Sequence, residues 1–290
     1  MSVRDYYFEH FNKLTLEKQF HFATRMKNFL GVRDFDKWLS DNQPDTDLGP
    51  IISNNDYSGV AQFAIRKPFF EKYPDLYGVE AALFRVHHLI KEYDVDIRGE
   101  FLNLYPKERL YRLSDDLLND GEALRALSTW AVNTVYLTEE LFPRDQGSTD
   151  RLIDWTLSLD PNSMEPSLYV YLCTHILICE SEFYTKKIER TSKLQGLMNN
   201  CREVILKNID TISLDAAVEF LVCSKMIGAE FEDVKKRIND ICQDYLKNSP
   251  YLINYRRDKN PGSYYHTLNG AEHINSLYIM SGLDEINAQK

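Results

Sequence analysis

Apolar residues recur at helical steps of three and four through almost the whole chain, and this period restricts the fold more than any other feature. Leu16, Phe20, Ala23, Met26 and Leu30 make one stripe, set between Thr15, a helix-starting residue, and Gly31, a helix-stopping one. Val79, Ala82, Leu83, Val86, Leu89, Ile90 and Tyr93 make a second. Leu110, Leu113 and Leu117 follow Pro106, which suits a first helical turn, and Ala123, Leu127, Trp130, Ala131, Val135 and Leu141 continue the pattern. No segment alternates with period two between hairpin turns, so strands should be few or absent. Chain breakers are also scarce: 12 Gly and 10 Pro among 290 residues are about 8%, against ordinary usage near 12%. A sandwich or barrel, where each hairpin needs its own turn residues, is disfavoured. The expected class is all-α.

Beyond residue 165 two kinds of helix alternate. Segments 167–188 and 213–228 are apolar almost all round, which implies burial on most sides. Between and after them, Leu194, Leu197, Met198, Cys201, Val204 and Ile205 form a one-sided stripe, and Phe231, Val234, Ile238, Ile241, Cys242 and Leu246 form another. An inner apolar helix followed by an outer amphipathic one predicts packed antiparallel helical hairpins, as in an open α/α solenoid or a closed toroid. The apolar segments starting at Trp130, Tyr171 and Ala216 are 41 and 45 residues apart, within the range of two-helix repeats. Residues 1–290 read as a single helical domain, or as two packed subdomains divided near 142–149.

Composition narrows the partners. Hydrophobic residues are 43% and charged residues 27%, enough for a real core and too apolar for disorder. With 34 Lys and Arg against 44 Asp and Glu the net charge is −10, which speaks against nucleic acid and anionic membrane surfaces. The longest uncharged apolar stretch, 166–179, has 14 residues, fewer than the ~20 of a spanning helix. Arg4, Asp5 and Glu9 precede any apolar run, so no signal peptide is expected. The five cysteines, Cys173, Cys179, Cys201, Cys223 and Cys242, are odd in number and form no CxxC. Reduced buried thiols and a cytoplasmic location follow as expectations.

No phosphate loop of the GxGxxG or GxxxxGK[ST] type occurs. The most suggestive set lies on the apolar segment, where Tyr171, His175 and Glu182 fall on one stripe beside Cys179. A histidine and a carboxylate inside an apolar helix must find partners, and acid–base sites are made in this way. Glu182 near Cys179 would raise the thiol pKa, so Cys179 reads as structural. His266 and His273 are seven residues apart with Asn269 between them; on one helix they would share a face but lie about 10.5 Å apart along the axis. His87 and His88 diverge by about 100°. Neither pair has the i, i+4 spacing of a helical zinc site, and no metal or cofactor is implied.

Two stretches break the helical pattern at length, 40–59 and 248–263. In the first, Asp45, Asp47 and Asp56 match positions 1, 3 and 12 of a calcium loop, but Pro50 stands where the bend needs Gly, and Gly49 has no side-chain oxygen. A solvated acidic loop is the reading. In the second, Tyr255, Arg256 and Arg257 have the composition of a surface that recognises carboxylate, phosphate or an acidic partner peptide. Tyr-Tyr-His-Thr at 264–267 and Ser-Gly-Leu at 281–283 are similar to the last helix of the α/α-toroid prenyltransferases. The segment between them is longer than in that family, and no Asp-x-Cys metal pair accompanies it.

Two functional classes follow. One is an intracellular binding or scaffold protein that presents a concave helical surface to a protein or small acidic ligand. The other is a toroid-like enzyme using His175 with Glu182, or His266 with His273, as acid and base in a central cleft. A deep pocket where two of the histidines meet a carboxylate favours the enzyme; a shallow groove or a large apolar patch favours the binder.

Overall fold

The computed structural model describes residues 1–60, 62–144, 147–189, 191–253 and 263–288. Among these the regular structure is helical throughout, with no strand. The chain opens with α1 (Val3–Glu9), α2 (Leu16–Leu30), α3 (Asp36–Asp41), α4 (Gly49–Ile52), α5 (Phe63–Lys72) and α6 (Leu76–Tyr93). Next come α7 (Arg98–Leu104), α8 (Lys107–Asn119), α9 (Gly121–Leu127), α10 (Thr129–Leu141) and α11 (Ser148–Ser158). The last third holds α12 (Pro166–Glu180), α13 (Ser192–Lys207), α14 (Leu214–Met226), α15 (Glu232–Leu246), α16 (Glu272–Ser281) and α17 (Leu283–Ala288).

Local signals account for many of these bounds. Helix α2 covers its stripe and ends on Gly31 at φ 69°, a left-handed geometry that a residue without Cβ adopts freely. Ser2 and Asp5 form a capping box at the start of α1, and Asp284 also accepts the Val3 and Arg4 amides there (3.0 and 3.1 Å), tying the two ends of the chain together. Two expected helices are interrupted, one at a tertiary bond and one at local side-chain bonds. The stripe from 123 to 141 breaks at Ser128 (φ 50°, ψ −102°), whose hydroxyl donates to the Leu168 carbonyl (3.1 Å). The helix through 167–188 stops at Glu180: Ser181 Oγ donates to the Ile178 carbonyl (2.6 Å) and accepts the Tyr184 amide (2.9 Å).

Glu182, Phe183 and Tyr184 then take φ values of 49°, 54° and 74°. Each left-handed non-glycine residue costs of order 1 kcal/mol or more. Packing offsets the cost, since the Phe183 ring meets Phe84 at 4.5 Å and His87 at 5.1 Å, and Tyr184 meets Phe29 at 5.8 Å.

One hydrophobic cluster runs from Val3 to Leu283. Helices α12 and α14 are buried on nearly every side, whereas α13 and α15 bury one face. Successive packing contacts join α2 to α16, α16 to α14, α14 to α12, α12 to α10 and α10 to α6. Lys27 and Asn28 of α2 bond to Glu92 of α6 (2.8 and 2.6 Å). Helix α4 reaches α6 at Gly78, where a Cβ would lie 2.3 Å from the Ile52 carbonyl oxygen. All five cysteines are buried and unbridged. No helix of the described residues is long and apolar enough to cross a membrane.

Candidate functional site

The same six helices carry buried polar side chains that meet one another. On three of them the polar residues are four apart: His21 and Arg25 on α2, Tyr171 and His175 on α12, Asp215 and Glu219 on α14. Four residues advance about 6 Å and only about 40° around a helix, so each pair points the same way. Glu272 and His273 of α16, Asn133 of α10 and Glu80 of α6 complete the set.

The bonds run from helix to helix. His21 Nδ1 donates to Glu272 Oε1 (2.8 Å), and Ser276 donates to the same oxygen (2.6 Å). The His21 and His273 rings lie 5.3 Å apart. His273 Nδ1 and the Tyr171 hydroxyl donate to the two oxygens of Asp215, each at 2.7 Å. Thr174 donates to Glu219, whose other oxygen is 3.9 Å from His175 Nε2. His175 Nδ1 donates to Asn133 Oδ1 (3.0 Å), and Asn133 Nδ2 donates to Glu80 Oε1 (2.8 Å). Cys179 also faces the Asn133 oxygen at 3.6 Å.

A cavity of about 500 Å³ opens onto this network between α2, α6 and the 183–185 segment, with His21, Arg25, Glu80, Phe84, Arg85 and Phe183 among its walls. Burial sets much of its protonation. It pushes Glu80 and Glu219 up to about 7, against the ordinary 4.5. Burial, then the nearby His273, Arg25 and Arg66, lower His175 to about 3. Burial and Arg25 likewise lower His21 to about 3. Burial works against the Glu272 carboxylate too, but His21, Arg25 and the Ser276 hydroxyl together hold it down to about 2. At neutral pH, therefore, Glu272 is the anion of this pair and His21 a neutral imidazole whose Nδ1–H is committed, which leaves the Nε2 lone pair unprotonated. Cys179 is raised by burial first and then by Glu140, Glu180 and Glu80, as suits a structural thiol.

Tyr171, His175 and His273 from the sequence reading converge here. Glu182 does not: its helix has ended, and its carboxylate pairs with Lys91 (2.5 Å) and Lys186 (3.6 Å). His266 and His273 share no helix face, because His266 lies in a separate 3₁₀ turn (Tyr264–His266) before α16. Asn269 accepts the Thr15 amide instead (2.6 Å). Tyr255, Arg256 and Arg257 lie outside the described residues. Asp45 and Asp47 accept backbone amides two residues ahead, which makes them turn formers, and no three His, Cys, Asp or Glu side chains of the described residues are grouped to hold a metal ion.

His21, Arg25, Glu80, Asn133, Asp215, Glu219 and Glu272 escaped the sequence reading. The rule that selected His175 would have found three of them. Glu80 sits among Val79, Ala81, Ala82 and Leu83, and Asp215 and Glu219 interrupt an apolar run. No family model, curated protein or solved structure matches the chain.

Proposed function

We propose that the chain is an enzyme that moves protons to and from a small substrate held in the cavity between α2 and α6. We also propose that α2, α16, α14, α12, α10 and α6 close into a toroid-like ring of helical hairpins around the site. The order of packing contacts and the bonds from α2 to Glu92 of α6 support that ring. A core shared by both halves, with α10 packed on α6 and α8 before residues 142–149 and on α11 and α12 after them, supports a single domain. The buried thiols suit a reducing compartment such as the cytoplasm.

The observation that carries the enzymatic reading is the His21–Glu272 pair, with His21 on the cavity wall and Glu272 behind it. A buried carboxylate that accepts from Nδ1 fixes the tautomer and orientation of the ring and offsets part of the penalty that burial and Arg25 place on the imidazolium when Nε2 takes a proton. Glu80 faces the same cavity and keeps its proton to about 7, so an unprotonated imidazole and a protonated carboxyl line one cavity. His21 is assigned as general base, Glu80 as general acid, and Glu272 and Asn133 as the residues that position them. The second arrangement, Tyr171–Asp215–His273, lies beside the first and supports the same assignment. A scaffold has less support: the large exposed apolar side chains of the described residues, Met1, Leu16, Ile65, Leu104 and Tyr264, fall on separate segments.

The test is to incubate the purified protein with a small-molecule extract of its host and follow consumption by mass spectrometry. The wild type should deplete at least one compound, and His21→Ala and Glu272→Gln should each slow that depletion by roughly 10²-fold or more. Arg202→Ala, on an exposed ion pair with Asp233, should behave as wild type. Depletion by His21→Ala at the wild-type rate would remove the assignment.

A further inference from the structure

Resting on that reading, we infer that the substrate is a small anion carrying a flat apolar ring, its charge held by Arg25 and Arg85 and its ring by Phe84 and Phe183. The two guanidinium groups come from different helices, α2 and α6, and line the same cavity. Most of the other charges there are already matched. Glu92 is bonded to Lys27 and Asn28, Lys91 lies between Glu140 and Glu182, and Glu17 is an exposed residue beside Lys18.

Arg85 donates to a neutral acceptor, the Asp45 carbonyl (2.8 Å). Arg25 lies over the Tyr184 ring at 5.6 Å, and its buried Nε has no hydrogen-bond partner. Among the described residues neither makes an ion pair within 4.0 Å. Of the nearby acids, Glu80 retains its proton into the neutral range, and the Glu272 carboxylate, which is not among the cavity walls, hydrogen-bonds to His21 and Ser276 and offsets Arg25 only in part. A chain of net charge −10 thus concentrates two guanidinium forks on one concave surface, and such forks match carboxylate and phosphate oxygens.

The opposite requirement, an apolar ring, comes from the rest of the wall. The Phe84 and Phe183 rings meet edge to face at 4.5 Å and 63°, forming an aromatic corner beside Ala81 and Phe20. A third planar ring can stack on one and present its edge to the other. The strained 182–184 turn holds Phe183 at that corner, a cost of the kind borne at ligand sites. A cavity of about 500 Å³ admits a metabolite-sized molecule and excludes a folded chain.

Isothermal titration of the full chain with benzoate, phenyl phosphate, benzamide and acetate tests the inference. Benzoate or phenyl phosphate should bind at least about tenfold more tightly than benzamide, which lacks the charge, and than acetate, which lacks the ring. The tighter of the two anions identifies the head group as carboxylate or phosphate. Arg25→Gln and Arg85→Gln should each weaken that anion by about tenfold or more, with circular dichroism and melting temperature close to wild type for the half-exposed Arg85. Phe84→Ala should weaken benzamide and benzoate together. Equal binding of benzamide and benzoate, an unaltered affinity in Arg85→Gln, or no binding of either anion overturns the proposal.

The enzymatic reading fails separately. Binding of the anion with no compound depleted by the wild type would sink catalysis and leave the recognition intact, whereas turnover of a neutral or cationic compound would do the reverse.

Discussion

Glu219→Gln should stabilise the protein at alkaline pH and do little at acid pH. Glu219 is 1% exposed and holds its proton to about 7 instead of 4.5 because burial penalises the anion, although His273, Thr174 and Arg25 restrain the rise. Below 4.5 the carboxyl is protonated in both folded and unfolded chains, so it has no effect on stability. Between the two values the folded chain keeps a proton that the unfolded chain has released, and stability falls as pH rises.

At pH 8 the ionised side chain costs about 3 kcal/mol, taking about 1.4 kcal/mol for each tenfold change in proton affinity, and at pH 5 it costs less than about 1 kcal/mol. Glutamine has the shape of the protonated acid, and its carbonyl can still accept from Thr174. Urea unfolding of wild type and variant should therefore give a gain of about 2–3 kcal/mol at pH 8 that shrinks below about 1 kcal/mol at pH 5. Comparing the two chains at each pH removes the other titrating groups. A variant destabilised equally at both values would mean that Glu219 is ionised and satisfied by its neighbours, and the acid–base reading of the site would lose one of its raised carboxyls.

Three further outcomes are expected. Gly78→Ala places a methyl group 2.3 Å from the Ile52 carbonyl and should cost about 1–3 kcal/mol as α4 is pushed from α6; an unchanged urea midpoint contradicts that packing. The His175 ring should keep the ¹⁵N shifts of a neutral imidazole between pH 5 and 8, since it protonates only near about 3; imidazolium shifts appearing with a midpoint near 6.5 would mean that burial does not penalise its charge. Ser181→Ala removes the hydroxyl that stops α12 and receives the Tyr184 amide, so it should cost about 1–2 kcal/mol and speed hydrogen exchange at Tyr184, and normal protection there would show that packing alone holds the turn.

Parts of the site were legible before the structure was. Tyr171 and His175 could be selected because a polar group on an apolar helix is itself a signal, and His273 through its seven-residue spacing from His266, a pairing that the fold does not keep. The stopping point of α12 was not legible. Residues 176–184 read as an apolar continuation, whereas the Ser181 bonds, the backbone bonds of the 182–186 turn and the seat of Phe183 on Phe84 and His87 end the helix there. Glu182 is carried away from His175 for that reason, and Glu219 of the next inner helix stands where Glu182 was expected. His266 was misplaced for a similar reason: Gly270 allows the chain to pass so close to Tyr264 that a Cβ would lie 2.0 Å from its carbonyl oxygen, and the 3₁₀ turn is pinned there, outside α16.

By itself the sequence determined the helical class, the extent of α2, the split between inner apolar and outer one-sided helices, and the burial of the cysteines. Each of these rests on the period and character of neighbouring residues, which act over a few turns. The tertiary structure alone decided which polar groups share a cavity. His21 and Glu272 are 251 positions apart, Asp215 and His273 are 58 apart, and Asn133 and Glu80 are 53 apart. A helical period says that such a residue faces inward; the order in which inner helices pack determines what it meets there, and that order comes from side-chain fit over the whole core.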